Sequence, residues 1–252
     1  MVADTAFKAL VIAAHPDDIE FGAAGTLTLW ADAGADITFC LVTDGGAGSN
    51  APDVDLKALV LQRQDEQRAA ATIQGVREVL FLGYADGVLE PTMALRRDLT
   101  RIIREVRPDR VLCSDPTLIF AGTNYINHPD HRAAAEAAIY AVFPSAGTRP
   151  IFPELLAEGY EPHDIAELWM FFSENSNTVV DISATMDRKI QALLCHKSQL
   201  GAEVEKMVRE WDAERGKEKG YAYAETFRVM RFKEPPVAES HAENEAGTTQ
   251  TA

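Results

Sequence analysis

The chain has 252 residues, enough for one sizeable α/β domain or two small ones. Its composition, 46% hydrophobic and 25% charged, is ordinary for a soluble globular protein. The 24 Lys and Arg residues against 39 Asp and Glu residues give a formal net charge of −15, which argues against a nucleic-acid backbone or an anionic membrane as the main partner.

The cysteines and the N-terminal segment predict a cytoplasmic location. Cys40 and Cys113 fall within apolar, strand-like runs, and the third, Cys195, is far from both, so we expect free thiols. Residues 1–8 contain no apolar signal-peptide core, and no stretch is long and apolar enough to span a bilayer. We therefore expect neither nucleic acid nor membrane as a partner.

The first part of the chain alternates strand-like and helix-like segments. Apolar runs predict strands at residues 7–14, 36–43, 78–82 and 110–114. Helices are predicted between and after them, at residues 17–33, 55–74, 91–107 and 129–143. This alternation predicts βαβ units and a Rossmann-like three-layer α/β/α fold with a mostly parallel sheet.

The second part of the chain is less regular. Prolines interrupt residues 144–165, after which two strands and two helices are predicted, at residues 168–172, 178–182, 186–200 and 202–219. Residues 234–252 are rich in Pro, Glu, Ala and Thr and have little to bury, which predicts a disordered tail. We thus expect a single domain over residues 1–233.

A histidine and two carboxylates follow the first predicted strand. Pro16 keeps His15 extended, and Asp17 and Asp18 stand at a helix start, where carboxylates are favoured. In α/β sheets ligands bind at the carboxyl ends of strands. The first strand therefore ends at a candidate site.

A second His-Pro-Asp sequence, residues 128–130, stands at the entrance to the fourth predicted helix and is followed by His131. The two copies together supply six polar side chains: His15, Asp17, Asp18, His128, Asp130 and His131. Helix capping alone explains Asp and Pro at such positions, but it does not require histidine. Three of the chain's six histidines lie here, which favours a functional site.

Histidine and carboxylate side chains that converge from rigid elements suit a zinc ion. His15 and Asp18 would supply two ligands, and either His128 or His131 would complete a three-ligand set with one position open for water. The residue types alone do not decide between the two histidines. Asp17 and the remaining histidine would serve as the general base and general acid of a hydrolase.

These motifs, together with Gly22, resemble the LmbE-like, or PIG-L, family of zinc-dependent de-N-acetylases. The resemblance spans nearly the whole chain, with weaker similarity at residues 43–45, 63–66, 86–87, 189–199 and 225–227. The family includes deacetylases of mycothiol and bacillithiol synthesis, of phosphatidylinositol glycan and of chitin disaccharides. The resemblance implies an LmbE-like fold and a small-molecule substrate, an N-acetylglucosamine-type sugar or sugar conjugate that loses its N-acetyl group as acetate.

The resemblance also implies metal and catalytic roles. His15, Asp18 and His131 would hold one zinc ion per chain, and Asp17 would be the base that activates water. His128 would polarise the amide oxygen or protonate the leaving amine, with Asp130 beside it to tune its basicity.

Other roles are less specific. Arg63 and Asp86 are candidate substrate contacts, and Tyr125 is a candidate oxyanion helper because it is close in sequence to His128. The glycine-rich loop 44–50 is interpreted as a substrate rim, and His196 as a residue that packs or orients a neighbour. Related enzymes include trimers and hexamers, so a homo-oligomer is compatible with the resemblance.

Three other functions remain open at this stage. The same zinc site could serve an amidase on a thiol-sugar conjugate. Two histidines and one carboxylate also form the facial triad of non-haem iron oxygenases, although that triad usually occurs on β-rich scaffolds. A non-catalytic sugar- or nucleotide-binding module would leave Asp17 idle, and tight binding without turnover would identify it.

Overall fold

The computed structural model describes residues 7–233, so the tail predicted at 234–252 lies outside the described residues. The strands are β1 Lys8–Ala13, β2 Asp36–Thr43, β3 Glu78–Tyr84, β4 Arg110–Ser114, β5 Phe120–Ala121, β6 Tyr125–Ile126, β7 Glu167–Phe171, β8 Thr178–Asp181 and β9 Ala224–Arg231. The α-helices are α1 Asp18–Gly22, α2 Ala24–Asp32, α3 Leu56–Gln74, α4 Met93–Val106, α5 Pro129–Tyr140, α6 Glu154–Ala157, α7 Met186–Leu193 and α8 Glu203–Gly216. A π-helical segment, Ala141–Ala146, and a 3-10 turn, Lys217–Lys219, complete the helical structure.

Within the described part of the chain, seven strands form one sheet in the order β3-β2-β1-β4-β7-β9-β8. The pairings from β3 to β7 are parallel, and β9 runs antiparallel to both of its neighbours. The prediction of a mostly parallel sheet is therefore confirmed. The short strands β5 and β6 form a separate antiparallel hairpin.

The central strand β1 shows why the molecule has three layers. Leu10 and Ile12 pack into a core that includes residues of α4 and α5. Val11 and Ala13 pack into a second core with residues of α1, α2 and α3. Successive side chains of a strand point to opposite faces, so β1 is covered by helices on both sides. The predicted α/β/α layering is confirmed.

The single helix predicted at residues 17–33 is wrong: the structure has two helices, α1 and α2, with a break at Ala23 (φ −149°). The start of α2 is stabilised by Glu225 of β9, whose two carboxylate oxygens accept the backbone amides of Gly25 and Thr26 at 2.9 and 2.8 Å. A carboxylate at a helix N-terminus satisfies free amides and the helix dipole. This cap comes from about 200 residues away, so the local sequence does not reveal it.

The glycines beside this break permit close packing. A Cβ on Gly22 would lie 2.5 Å from the Phe171 ring of β7, and a Cβ on Gly25 would lie 2.8 Å from Ile182. Any larger residue at either position would push the helix away from its neighbours. The two short helices are thus held tightly against the sheet and the segment that follows β8.

Two further helices are shorter than predicted, and the strands β5, β6 and β9 were not predicted. The helix predicted at 129–143 ends at Tyr140 and continues as the π-helical segment, and that predicted at 186–200 ends at Leu193. Strand β9 has charged residues at three of its eight positions, which hid its apolar alternation. Its Glu225 is nevertheless fully buried, because Lys189 pairs with it.

The topology sets the position of the site. From β1 the sheet extends through β2 to β3 on one side, whereas β4 lies on the other side of β1. This reversal is a topological switch point, where α/β sheets form a crevice at the strand carboxyl ends. His15 follows β1 directly, at the edge of this crevice. Among residues 7–233, no helix has the length and hydrophobicity needed to cross a membrane.

Candidate active site

The turn between β1 and α1 holds Asp17 in an unusual backbone conformation. Its φ of 101° lies in the left-handed region, which non-glycine residues rarely adopt. Two residues of α3 fix the turn: Arg63 donates to the Pro16 carbonyl at 2.8 Å, and Gln67 accepts the Asp17 amide at 3.1 Å. Such conformations persist where the surrounding structure determines them, and they cluster at functional sites.

The second motif brings two more histidines to the same place. Pro129 begins α5, and the His128 imidazole caps the helix by accepting the Asp130 amide at 3.2 Å. One turn later, His131 Nε2 lies 3.0 Å from Asp18 Oδ1, and its Nδ1 lies 3.0 Å from Asn127 Oδ1. A carbonyl oxygen behind a histidine fixes the ring orientation, as is typical of metal-binding histidines.

Among residues 7–233, two sets of three residues have ligand atoms within 4.8 Å of one another: His15 with Asp18 and His131, and His15 with His128 and Asp130. In the second set the Asp130 carboxylate already accepts the amides of Gly87 and Leu89, at 2.7 and 3.1 Å. That carboxylate is thereby committed to the backbone. The first set is the better candidate metal site.

The charges around His15 fit a cation. Its Nε2 lies 2.9 Å from Asp86 Oδ1 and 3.4 Å from Asp130 Oδ2, and its Nδ1 lies 3.6 Å from Asp18 Oδ2. Burial alone would lower the pKa of His15, but Asp130, Asp18 and Asp86 raise it to about 12. Nε2 itself is buried and has no hydrogen bond of good geometry. The three carboxylates therefore stabilise a positive charge at His15. A divalent metal ion suits this set of donor atoms.

The neighbouring carboxylates are tuned in opposite directions. Burial and the negative charge of Asp18 raise the pKa of Asp17 to about 7. Burial acts in the same sense on Asp18, but the charges and hydrogen bonds of His131 and His15 hold the pKa of Asp18 well below its usual range. Asp18 thus remains a ligand-type carboxylate, whereas Asp17 has the affinity for protons that a general base needs.

Comparison with known proteins agrees with this geometry. The sequence model of the PIG-L family, described as GlcNAc-PI de-N-acetylase, matches residues 10–142, more than half of the chain and both histidine motifs. The chain belongs to the PIG-L family. This confirms the family resemblance inferred from the motifs.

Two deacetylases are among the proteins that are similar in sequence to this chain. The chain is 35% identical over 227 residues to diacetylchitobiose deacetylase of Thermococcus kodakarensis, covering 88% of this chain and 83% of that protein. It is 27% identical over 209 residues to a probable N-acetyl-α-D-glucosaminyl L-malate deacetylase of Bacillus anthracis, covering 81% and 86%.

A solved structure shares the fold closely. The N,N′-diacetylchitobiose deacetylase of Pyrococcus horikoshii superposes with a TM-score of 0.83 at 30% identity, covering 90% of this chain and 84% of that one. The fold class predicted from the alternation of strands and helices is thus confirmed by a family structure.

Eight of the nine predicted site residues line one groove of about 1040 Å³ in this PIG-L protein: His15, Asp17, Asp18, Arg63, Asp86, Tyr125, His128 and His131. The ninth, Asp130, is fully buried beside His15. Its carboxylate is closer to His15 (3.4 Å) than to His128 (4.0 Å). The structure therefore places Asp130 where it orients His15, and its backbone amide rather than its carboxylate contacts His128.

The three predicted substrate residues differ in their surroundings. Arg63 is only 4% exposed and donates to the Gly45 and Pro16 carbonyls, so it is not a solvated helix arginine. Asp86 contacts His15 and accepts the Ala47 amide at 3.0 Å. Tyr125, on the β5–β6 hairpin, is 48% exposed at the groove wall. Arg63 and Asp86 thus brace the site, and Tyr125 faces its opening.

A buried polar cluster contacts Asp17 through Gln67, which accepts the Asp17 amide. Glu20 accepts hydrogen bonds from Gln67 (2.9 Å) and Gln74 (2.7 Å), and its second oxygen lies 3.1 Å from His196 Nε2. His196 belongs to neither candidate metal set found among the described residues. Sequence reasoning missed this cluster because its members come from three separate segments. Asn127 was also missed, although one signal could have identified it as a partner of His131: it precedes that histidine by four residues at a helix entrance.

Proposed function

We propose that the protein is a zinc-dependent deacetylase that removes the N-acetyl group from an N-acetylglucosamine-type sugar or sugar conjugate. The observation that carries the proposal is the convergence of His15, Asp18 and His131 with a base-like carboxylate, Asp17, in one groove. Membership of a de-N-acetylase family supports cleavage of an acetamide. The similar proteins named for diacetylchitobiose and for an N-acetylglucosaminyl malate support an amino-sugar substrate.

The donor set supports zinc as the metal. Two histidines and one carboxylate are a ligand combination that zinc takes in catalytic sites, with one position left for water or substrate. When bound, zinc would supply Lewis acidity that activates water and polarises an amide carbonyl.

Asp17 is the proposed general base. It takes a proton from the attacking water and later gives it to the amine as the acetamide C–N bond breaks and acetate leaves. Arg63 lies 3.5 Å from its Oδ2 and holds the preceding carbonyl, so the carboxylate keeps its direction. A base with a pKa near 7 is well matched to reaction near neutral pH.

His128 is the proposed electrophilic partner. Its ring is 41% exposed to the groove, and its centroid lies 4.8 Å from that of His15. Burial and the nearby His15 lower its pKa. We propose that His128 donates a hydrogen bond to the carbonyl oxygen as negative charge develops there. Arg63, Asp86 and Tyr125 would frame the sugar ring.

The test is acetate release from a panel of acetamides by the zinc-loaded protein. The panel contains N-acetylglucosamine, N,N′-diacetylchitobiose, the inositol and malate conjugates of N-acetylglucosamine, and an amide-linked thiol conjugate. We expect chelator-sensitive acetate with an equal amount of free amine from at least one acetamido sugar. Cleavage of the thiol conjugate alone would favour the amidase, and sugar binding without turnover would favour a binding module. Turnover that requires oxygen and ferrous iron would favour the oxygenase.

A further inference from the structure

The groove continues beyond the catalytic residues onto one face of α8. Met207 and Trp211 line it, with 37% and 48% of their surfaces exposed. Large apolar side chains left open beside a polar catalytic centre indicate a binding surface. Neither residue contributes to the proposed chemistry, so their exposure calls for a different explanation.

The volume of the groove also indicates a binding surface larger than the catalytic centre. At about 1040 Å³ it lies at the upper end of the range of roughly 300–1,000 Å³ that is usual for small-molecule sites. A single acetamido sugar at the catalytic residues would leave much of this volume empty. The groove therefore has room for a substrate that extends past the ring that carries the acetamide.

Helix α8 is fixed rigidly to the catalytic part of the molecule. Lys189 Nζ lies 2.7 Å from Asp212 Oδ2 and 2.8 Å from Glu225 Oε1, and all three side chains are fully buried. Lys189 also donates to the Phe21 carbonyl of α1 at 3.2 Å. Asp212 is next to Trp211, so this ion-pair network sets the position of the indole relative to Asp17 and Asp18. A prepositioned aromatic surface costs little conformational entropy on binding.

The charge of the groove decides what kind of group extends over α8. Its acidic lining residues outnumber its permanently cationic ones among the residues that the structure describes: Asp17, Asp18, Asp86, Glu174 and Glu214 against Arg63 and Arg215. Both arginines are already engaged, Arg63 with two backbone carbonyls and Arg215 with Asp212 at 2.7 Å. Glu214, the acidic lining residue of α8, pairs with Lys217 in turn, so none of the described lining arginines or lysines over α8 is free to bind an anionic group, whereas an uncharged group needs no such partner.

We propose that Trp211 and Met207 form a second sugar subsite, on which the ring next to the acetamide-bearing ring stacks its apolar C–H face. The substrate class is then an uncharged amino-sugar disaccharide or longer oligosaccharide, in preference to a monosaccharide or an anionic conjugate. This inference rests on the proposed deacetylase function and narrows its substrate. Indole suits the role because it offers a large apolar face with a polar N–H at its edge.

The test is calorimetric binding to the zinc-loaded Asp17→Asn protein, which separates binding from turnover. The ligands are N-acetylglucosamine, N,N′-diacetylchitobiose and N-acetylglucosaminyl malate. We expect the disaccharide to bind most tightly, and Trp211→Ala to lower the ratio of disaccharide to monosaccharide affinity about tenfold, an effect of the size that an aromatic contact supplies. Trp211→Phe should retain most of that ratio. Tyr140→Ala, an exposed aromatic on α5 outside the groove, is the matched control and should not change it.

Two results would overturn the subsite. One is an unchanged affinity ratio in Trp211→Ala, and the other is tighter binding of the malate conjugate than of the disaccharide. Kinetics of the otherwise unmodified protein give a second readout: Trp211→Ala should raise KM for the disaccharide with little change in kcat. If the protein released no acetate while the affinity ratio still depended on Trp211, the deacetylase proposal would fail and the subsite would stand.

Discussion

The backbone conformation of Asp17 depends on residues that are distant in the sequence. Its backbone lies in the left-handed region, and α3 holds it there through Gln67 and Arg63. Burial and the charge of Asp18 then raise its pKa. The local sequence supplies two adjacent carboxylates at a turn, and the packing of α3 holds Asp17 in the conformation of the proposed base.

Asp17→Asn should remove the base and leave the rest of the site in place. The amide is nearly isosteric, so metal content and thermal stability should stay close to those of the unmodified protein. We expect kcat to fall by at least about a hundredfold, as is usual when a general base is lost. Acetate release at matched zinc content measures this, and Asp53→Asn, a carboxylate on the exposed surface, is the control. A fully active Asp17→Asn protein would refute the assignment.

The two histidines of the second motif should respond differently to removal. His131 contacts Asp18 at 3.0 Å and has Asn127 behind it, whereas the His128 ring is 41% exposed and caps α5. We expect His131→Ala to lose zinc and activity together. His128→Ala should keep one zinc ion per chain and lose activity by about a hundredfold or more. Elemental analysis after gel filtration, paired with acetate release, distinguishes the two, and zinc retained by His131→Ala would contradict the ligand set.

At the scale of elements, a buried ion-pair network joins α1, α7, α8 and β9. Lys189 of α7 is the centre of this network, between Asp212 and Glu225. A buried charge that loses its partner is strongly destabilising, because the remaining charges stay desolvated. The network therefore acts as a single unit that orders the second half of the chain against the first.

Lys189→Met should leave the buried carboxylate of Glu225 without its cation and that of Asp212 with Arg215 alone. We expect the free energy of unfolding to fall by about 3–5 kcal/mol, the usual cost of breaking a buried pair. Urea denaturation followed by circular dichroism measures it. Lys206→Met on the exposed face of α8, where Lys206 pairs loosely with Glu210 at 3.8 Å, is the control and should change the free energy little. An equal loss in both variants would argue against the network.

The cluster behind Asp17 predicts a dependence of stability on pH. Burial opposes protonation of His196, but Glu20 raises its pKa above the ordinary value of 6.5. A histidine whose pKa is raised by folding stabilises the protein fully below the unfolded pKa, and this contribution is lost as pH rises through the folded pKa. The free energy of unfolding should therefore decline as pH increases above about 6.5.

The variant His196→Gln isolates this contribution. The difference in unfolding free energy between the unmodified protein and His196→Gln should be largest near pH 6 and should shrink as pH rises through the raised pKa. Denaturation curves at several pH values for both proteins give that difference. A gap that is constant or grows with pH would show that Glu20 does not keep His196 protonated in the folded state.

Strands and helices with strong local patterns could be predicted from the sequence, and those shaped by distant contacts could not. The apolar runs of β1, β2 and β4 are buried on both faces and leave a clear signal. The start of α2 after Ala23 is capped by Glu225, a residue about 200 positions away. In β9 this buried glutamate stands among other charged residues, so the apolar pattern of the strand is weak. The same holds for the candidate site. The two histidine motifs could be recognised in the sequence, but the position of Trp211 in the groove wall depends on how α8 packs.

At the scale of the whole molecule, the strand order explains why two motifs more than a hundred residues apart meet. Strands β1 and β4 are neighbours in register, with Leu10 beside Val111, and each leads at its carboxyl end towards one of the motifs. The alternation of elements predicted a parallel sheet, but it did not specify the strand order, because several orders satisfy the same alternation. The crevice at the switch point is therefore a property of the topology rather than of any segment.

In the proposed mechanism, one metal ion held by His15, Asp18 and His131 is required for acetate release. Titration of zinc into the chelator-stripped protein, with acetate release from N,N′-diacetylchitobiose followed at each step, tests this requirement. We expect activity to be absent without metal, to rise in proportion to added zinc and to level off at one equivalent per chain, with no recovery in His131→Ala. Full acetate release by the stripped protein, or equal recovery in His131→Ala, would contradict it.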